Sequence, residues 1–95
     1  MTRDEAIAIV RRIEGLASAA RHDDVAVQDE LLGLVDQLRD APGPHDVVRE
    51  KVASLAAWTD ILFSDRKRQT YGGDEEVTEL FLHDCERLRA AIRGD

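Results

Sequence analysis

Apolar side chains recur at alternating spacings of three and four residues in four separate stretches of this chain. Because an α-helix turns once every 3.6 residues, positions spaced in this way share one face of a helix. The first stretch shows the pattern in Ala6, Ile9, Ile13, Leu16 and Ala20, with Ile7, Val10 and Ala17 beside them. No stretch of useful length alternates apolar and polar residues as a strand does. The spacing therefore predicts an all-α protein.

Residues that begin or end helices separate the four stretches. Thr2 and Glu5 have the spacing of a capping box, and Asp23 or Asp24 can cap the second helix. Two prolines interrupt the segment 41–44, and the pair Gly72-Gly73 is a C-terminal stop. Pro44 suits the first position of the third helix. The predicted helices cover about residues 3–21, 24–40, 44–71 and 74–93. Short connections predict a four-helix antiparallel up-down bundle.

The other three helices have core faces of the same kind as the first. Their predicted members are Val27, Leu31, Leu34, Val35 and Leu38; Val48, Val52, Leu55, Thr59, Leu62 and Phe63; and Val77, Leu80, Phe81, Cys85, Leu88 and Ile92. The third helix is longer than the others. At 1.5 Å per residue it either projects about 10 Å beyond them or kinks near Ser64-Asp65.

The third helix also carries a second apolar arc formed by Val47, Trp58 and Ile61. One interpretation is that this arc packs against a neighbouring helix of the same chain. The other is that it is an interface for a second copy or for a partner, because tryptophan beside aliphatic side chains is a common composition of interface anchors. Both interpretations fit the spacing, so the arc is a candidate interface.

Composition limits the class of protein. The 95 residues are enough for one domain, residues 1–95, and the net charge is −7. Such a charge repels nucleic acid and anionic membranes at long range. No apolar run approaches 18 residues, the start lacks the features of a leader peptide, and Cys85 has no second cysteine to pair with. We therefore expect a cytoplasmic, soluble protein without membrane contact.

One basic cluster, Arg66, Lys67 and Arg68, stands out in this acidic chain. It is a candidate contact for phosphate or another anion. The alternative is that its cations simply stabilise the negative end of a helix dipole and neutralise the acids at 74–76. Nucleic-acid domains usually show several basic stretches with aromatic residues between them.

No residue pattern indicates catalysis. Glu79 and His83 lie four apart on one helix face, but the paired motifs of helical metal sites are missing. Cys85 falls on the apolar side of its helix, which favours a buried and unreactive thiol. We expect no catalytic residue, no metal and no cofactor, and the pattern implies no small-molecule ligand.

These features favour a non-enzymatic helical protein-interaction module. It would act as a homodimer or as a stoichiometric regulator of another protein, in the manner of an adaptor or inhibitor. The alternative hypothesis is a nucleic-acid-associated regulator or small helical nuclease that uses the Arg66–Arg68 cluster.

Overall fold

A computed structural model of the protein describes residues 1–19 and 21–94. About 83% of the described residues are helical and none is in a strand, which confirms the all-α prediction. Four of the five α-helices are long. They are α1 (Arg3–Ala19), α2 (Val25–Gln37), α3 (His45–Leu62), the short α4 (Asp65–Thr70) and α5 (Asp74–Arg93), with a 3-10 turn at Leu38–Asp40 that extends α2. Within the described ranges, no helix is long and apolar enough to cross a membrane.

The predicted caps of the first two helices are present. The Glu5 amide donates to the Thr2 hydroxyl (3.2 Å), and the Thr2 amide donates to the Glu5 carboxylate (3.3 Å), which completes the capping box. Hydrogen bonding from Thr2 lowers the pKa of the Glu5 carboxyl. Asp24 caps α2 by accepting from the Ala26 amide at 2.9 Å. These local hydrogen bonds fix where both helices begin.

The prediction of one helix over residues 44–71 is wrong. Pro44 is the cap rather than the first helical residue, and α3 ends at Leu62. Ser64 leaves the helical conformation (φ −130°, ψ 113°), and its hydroxyl accepts from the Lys67 amide at 3.4 Å, so it caps a new helix, α4. The chain therefore breaks where the alternative prediction placed a kink.

The break turns the chain back onto α3, so the segment does not project. The Tyr71 ring, just after α4, meets the Trp58 ring edge-to-face with centroids 5.4 Å apart. Gly72 and Gly73 follow with φ of 101° and 110°, in the left-handed region that glycine tolerates best. The turn they make leads directly into α5.

The core has contributions from all four long helices. Its buried apolar side chains are Ala6, Val10, Ile13, Ala17, Leu31, Val35, Leu38, Val48, Val52, Leu55, Leu62, Val77, Phe81, Cys85, Leu88 and Ile92. In α1 the buried stripe is centred on Val10 and Ala17, whereas Ile9 and Leu16, predicted at its centre, are half-buried. Ala20, also predicted in that stripe, lies outside the described residues.

One predicted core position is wrong. Leu80 is 40% exposed, while Asp84, one turn later in α5, is only 8% exposed. The Asp84 carboxylate accepts a hydrogen bond from the Ser54 hydroxyl and lies 3.5 Å from the Lys51 ammonium, both on α3. Because these partners compensate its charge, the face of α5 that meets α3 centres on Asp84 and leaves Leu80 at the edge.

The contacts between helices form a closed ring. Helix α5 packs against α1 and α3, and α2 packs against the same two helices from the other side. Ser54 meets Asp84, and Gly43, just before α3, approaches the Ala91 carbonyl. Because the residue numbers rise along α3 as they fall along α5, these two helices run in opposite directions.

The cap at Ser64 generates a first prediction. Ser64→Ala removes the side-chain acceptor at the start of α4 and should lower the free energy of unfolding by about 1 kcal/mol. Thermal denaturation should show a melting temperature lower by about 4–8 °C. Ser18→Ala, on the exposed face of α1, is the matched control and should not destabilise. Equal melting temperatures for both variants would show that the cap is not needed for the break.

Candidate interaction surface

The predicted interface residues all lie on the flank of α3 that faces α5, but they do not form one cluster. Val47 is 38% exposed at the start of the helix, and eleven residues, or about 16 Å of helix, separate it from Trp58. Trp58 and Ile61 are half-buried and pack against the core. Part of the Trp58 ring therefore packs against the core, and another part contacts the Tyr71 ring.

The directions of α3 and α5 place Leu80 beside Trp58. Ser54 lies opposite Asp84, so position 58, one turn later in α3, lies opposite position 80, one turn earlier in α5. Leu80 is 40% exposed and Tyr71 is 48% exposed. We refer to Trp58, Ile61, Tyr71 and Leu80 as the apolar patch.

Two members of the apolar patch could not be recognised from the sequence pattern. Leu80 has the spacing of a core residue, and Tyr71 has the position of a helix end. The feature that brings Tyr71 into the patch is the break after Leu62, because the chain turns back there and Tyr71 reaches Trp58. The break itself is marked only by a serine three residues before Lys67, which is a common local pattern.

The basic cluster does not act as one unit. The Arg68 side chain is 15% exposed, and its Nη1 donates to the carbonyl oxygens of Leu62 (2.6 Å) and His22 (2.9 Å). Its Nη2 donates to Asp65, and its Nε lies 3.5 Å from an Asp74 carboxylate oxygen. These contacts use the guanidinium on three parts of the chain, which accounts for Arg68 without any bound anion.

The other two cations of the cluster are at the surface. Lys67 pairs with the Asp60 carboxylate. Arg66 is exposed and has no ion pair with any described residue. The candidate anion contact at Arg66, Lys67 and Arg68 is thus reduced to one uncommitted side chain.

His22 adds a second link at the same junction. Its side chain is 7% exposed, its Nε2 lies 2.8 Å from the Ala17 carbonyl oxygen, and its Nδ1 lies against Asp74. The ring also meets Phe63 edge-on, with centroids 5.6 Å apart. The two ring nitrogens thus lie beside two acceptors, a carboxylate and a backbone carbonyl. His22 and Arg68 together bind the start of α5 to the end of α1.

The described side chains contain no group of three histidine, cysteine, aspartate or glutamate residues arranged to hold a metal ion. Glu79 and His83 are exposed, and Asp84 points instead to Ser54. Cys85 is fully buried, and burial raises the pKa of its thiol to about 12, with the nearby Glu14 carboxylate contributing. A thiol in this setting stays protonated and is a poor nucleophile.

The buried thiol leads to a prediction about reactivity and pH. At pH 8, Cys85 in the folded protein should react far more slowly with a disulfide reagent than Cys85 in the protein unfolded by guanidinium chloride. Folding both buries the thiol and keeps it protonated. The unfolded thiol ionises near pH 8.5, roughly the value of a free cysteine, whereas the folded thiol keeps its proton up to about pH 12. Stability should therefore fall as pH rises through that window.

Cys85→Ala is the control for this pH dependence. It should abolish the part of the alkaline loss of stability that comes from the thiol, as measured by denaturant unfolding at a series of pH values. Fast labelling of the folded protein, or an identical alkaline slope in both proteins, would contradict the buried position of Cys85.

The basic cluster offers a matched pair of variants. Arg68→Ala should lower the free energy of unfolding by about 2 kcal/mol or more, because it leaves carbonyl and carboxylate acceptors without their charged donor. Arg66→Ala should change it by less than about 0.5 kcal/mol, as is usual for an exposed side chain. Arg68→Lys should recover little, since an ammonium cannot reproduce the planar fork of donors. Equal costs for Arg66→Ala and Arg68→Ala in denaturant unfolding would overturn this assignment.

Comparisons with protein-family models, with curated proteins and with solved structures gave no match for this chain. Function therefore has to be inferred from the surfaces and side-chain chemistry of the protein itself. Of the three predicted interface residues, Trp58 and Ile61 belong to the apolar patch and Val47 does not.

Proposed function

We propose that this protein is a non-enzymatic interaction module that binds another protein chain through the apolar patch. The observation that carries the proposal is the Trp58–Tyr71 edge-to-face pair, beside which the register of Ser54 and Asp84 places the exposed Leu80. Tryptophan and tyrosine are the residues most enriched among interface anchors, since each offers a large apolar surface at low cost in conformational entropy. The partner is a second copy of the chain or a protein that it regulates stoichiometrically.

The fold we propose for this module is an antiparallel up-down bundle of the four long helices. The reversed directions of α3 and α5 and the closed ring of helix contacts support this arrangement. In such a bundle the apolar patch lies on two adjacent helices and is stiffened by α4. A stiff patch loses little entropy on binding, which favours affinity.

Side-chain chemistry supports binding rather than catalysis. The thiol of Cys85 is buried and protonated, and Asp84 is occupied by Ser54 and Lys51. Side-chain chemistry also disfavours the nucleic-acid alternative, because Arg68 and Lys67 already bind carboxylates or carbonyls of the chain. A single exposed Arg66 gives that alternative little support.

The net charge of −7 separates the two kinds of partner. Two copies of an acidic chain repel each other, so a homodimer should become tighter as salt screens the charges. A basic partner should instead bind faster at low salt. Cytoplasmic residence, which the sequence favours, is part of the proposal and is compatible with both partners.

Leu80→Ser provides the test of this proposal. It removes an exposed anchor from the apolar patch without opening the core, and it should weaken association about tenfold or more, as measured by sedimentation for the dimer or by titration with an isolated partner. Val25→Ser is the matched control, because Val25 is 68% exposed at the start of α2 and away from the patch. It should bind like the wild type.

Two results would contradict the proposal. A wild-type chain that sediments as a 10.6 kDa monomer and captures no protein in a Leu80-dependent manner from its source cells would remove both forms of it. Equal losses for Leu80→Ser and Val25→Ser would also count against the patch, because they would place the effect elsewhere.

A further inference from the structure

A groove of about 960 Å³ runs between α2 and α3, on the flank of α3 opposite the apolar patch. Val35 and Val52 form its floor, where they are 1% and 5% exposed. Leu32, Ala53 and Ala56 line its sides. Small-molecule sites in proteins are commonly apolar clefts of roughly 300–1,000 Å³ with a few polar groups that orient the ligand. The size and floor of this groove match that description.

The polar groups of the groove are gathered at one end. The connection 38–44 joins the end of α2 to the start of α3, so Arg39 and His45 lie at the same end, with Arg49 one turn further into α3. Leu32 and Ala56, at the other end, are apolar. The Asp36 carboxylate, one turn before Arg39, lines this end as well. The groove is therefore amphipathic along its length, with a charged end where two arginines and a histidine outnumber one carboxylate, and an apolar end.

Part of this positive charge has no acidic partner. Arg39 pairs with Asp36 at 3.0 Å. Arg49, however, has only the His45 ring nitrogen as a hydrogen-bond partner, at 3.4 Å, and pairs with no carboxylate in the described ranges. Arg66 is also exposed and without an ion pair to any described residue, but it does not line this groove. Arg49 lies at the edge of an apolar groove, so an anion bound to its guanidinium can also place an apolar tail in the groove.

We propose that the α2–α3 groove binds a free amphipathic carboxylate with a long apolar tail, of the fatty-acid type. The carboxylate accepts from the Arg49 guanidinium and from the His45 ring, and the tail lies over Val52 towards Ala56. From His45 to Ala56 the helix is about 16 Å long, enough for an extended alkyl chain. The tail is what distinguishes this ligand from a simple anion, because the apolar floor gains nothing from a small polar ion.

The apolar spacing of the sequence implied no small-molecule ligand. The groove arises because side chains between α2 and α3 are too small to fill the space there, and such a space leaves no sequence motif. Gly33 in α2 has no atom within 4 Å of where a Cβ would stand. The same is true of Gly15, in α1 and outside the groove. A Cβ can therefore be added at Gly33 without a clash, so Gly33→Leu adds bulk to the lining of the groove, and Gly15→Leu is its matched control.

The probe for the experiment is decanoate, titrated calorimetrically into the intact chain below its micelle concentration. Acetate carries the head alone and decanol the tail alone. We expect one decanoate per chain, with acetate and decanol each bound roughly tenfold or more weakly. Arg49→Gln should weaken decanoate binding roughly tenfold, and Gly33→Leu should abolish it. Gly15→Leu and the patch variant Leu80→Ser should both bind decanoate like the wild type.

Several results would overturn the proposal. These are absence of decanoate binding, equal binding of decanol, and decanoate binding that survives both Arg49→Gln and Gly33→Leu. Association with anionic phospholipid vesicles, or with an acidic amphipathic peptide, in the absence of decanoate binding would also overturn it and assign the groove to a membrane or a protein. Backbone amide shifts checked by NMR should confirm that both leucine variants fold, so that loss of binding by Gly33→Leu reports on the groove.

Discussion

The hydrogen bonds and ion pairs of the Arg68 guanidinium connect the helices at the end of the molecule where α3 ends and α4 and α5 begin. The guanidinium donates to the last carbonyl of α3, at Leu62, and to the carbonyl of His22 in the α1–α2 connection. It also lies against Asp65 and Asp74, the first residues of α4 and α5. Helix ends leave carbonyl groups without partners, and a largely buried cation that satisfies them links the ends of several helices. At the break, Arg68 satisfies the Leu62 carbonyl with which α3 ends.

The main difference between this fold and four straight helices follows from the break after Leu62. Since α4 turns back, Tyr71 reaches Trp58, and the aromatic pair stiffens the flank of α3 that faces α5. Of the two interpretations of the Trp58 arc, packing within the chain accounts for the half-buried Trp58 ring, and the interface interpretation stays a prediction.

The number of long helices, the caps of α1 and α2 and most of the buried faces could be predicted from the sequence, because these depend on local spacing and on residues next to one another. The position of the break is one of two alternatives that the sequence predicts, and the Ser64 cap marks it locally. The return of Tyr71 to Trp58 and the burial of Asp84 depend instead on contacts between segments far apart in the chain. Asp84 is buried because Ser54 and Lys51 stand opposite it, and periodicity within α5 carries no information about α3. The apolar patch is assembled by these same long-range contacts, which explains why only Trp58 and Ile61 of its members were predicted.

The two flanks of α3 show how side-chain size divides the molecule into a closed and an open side. Towards α5, the Asp84 network and the Trp58–Tyr71 pair fill the space between the helices. Towards α2, Ala53, Ala56 and Gly33 are too small to do so, and an open groove remains. A glycine inside a helix costs about 1 kcal/mol relative to alanine, and Gly33 recovers none of this through packing, since a Cβ there would touch nothing. Its effect on the structure is to leave the α2 side of the groove unfilled.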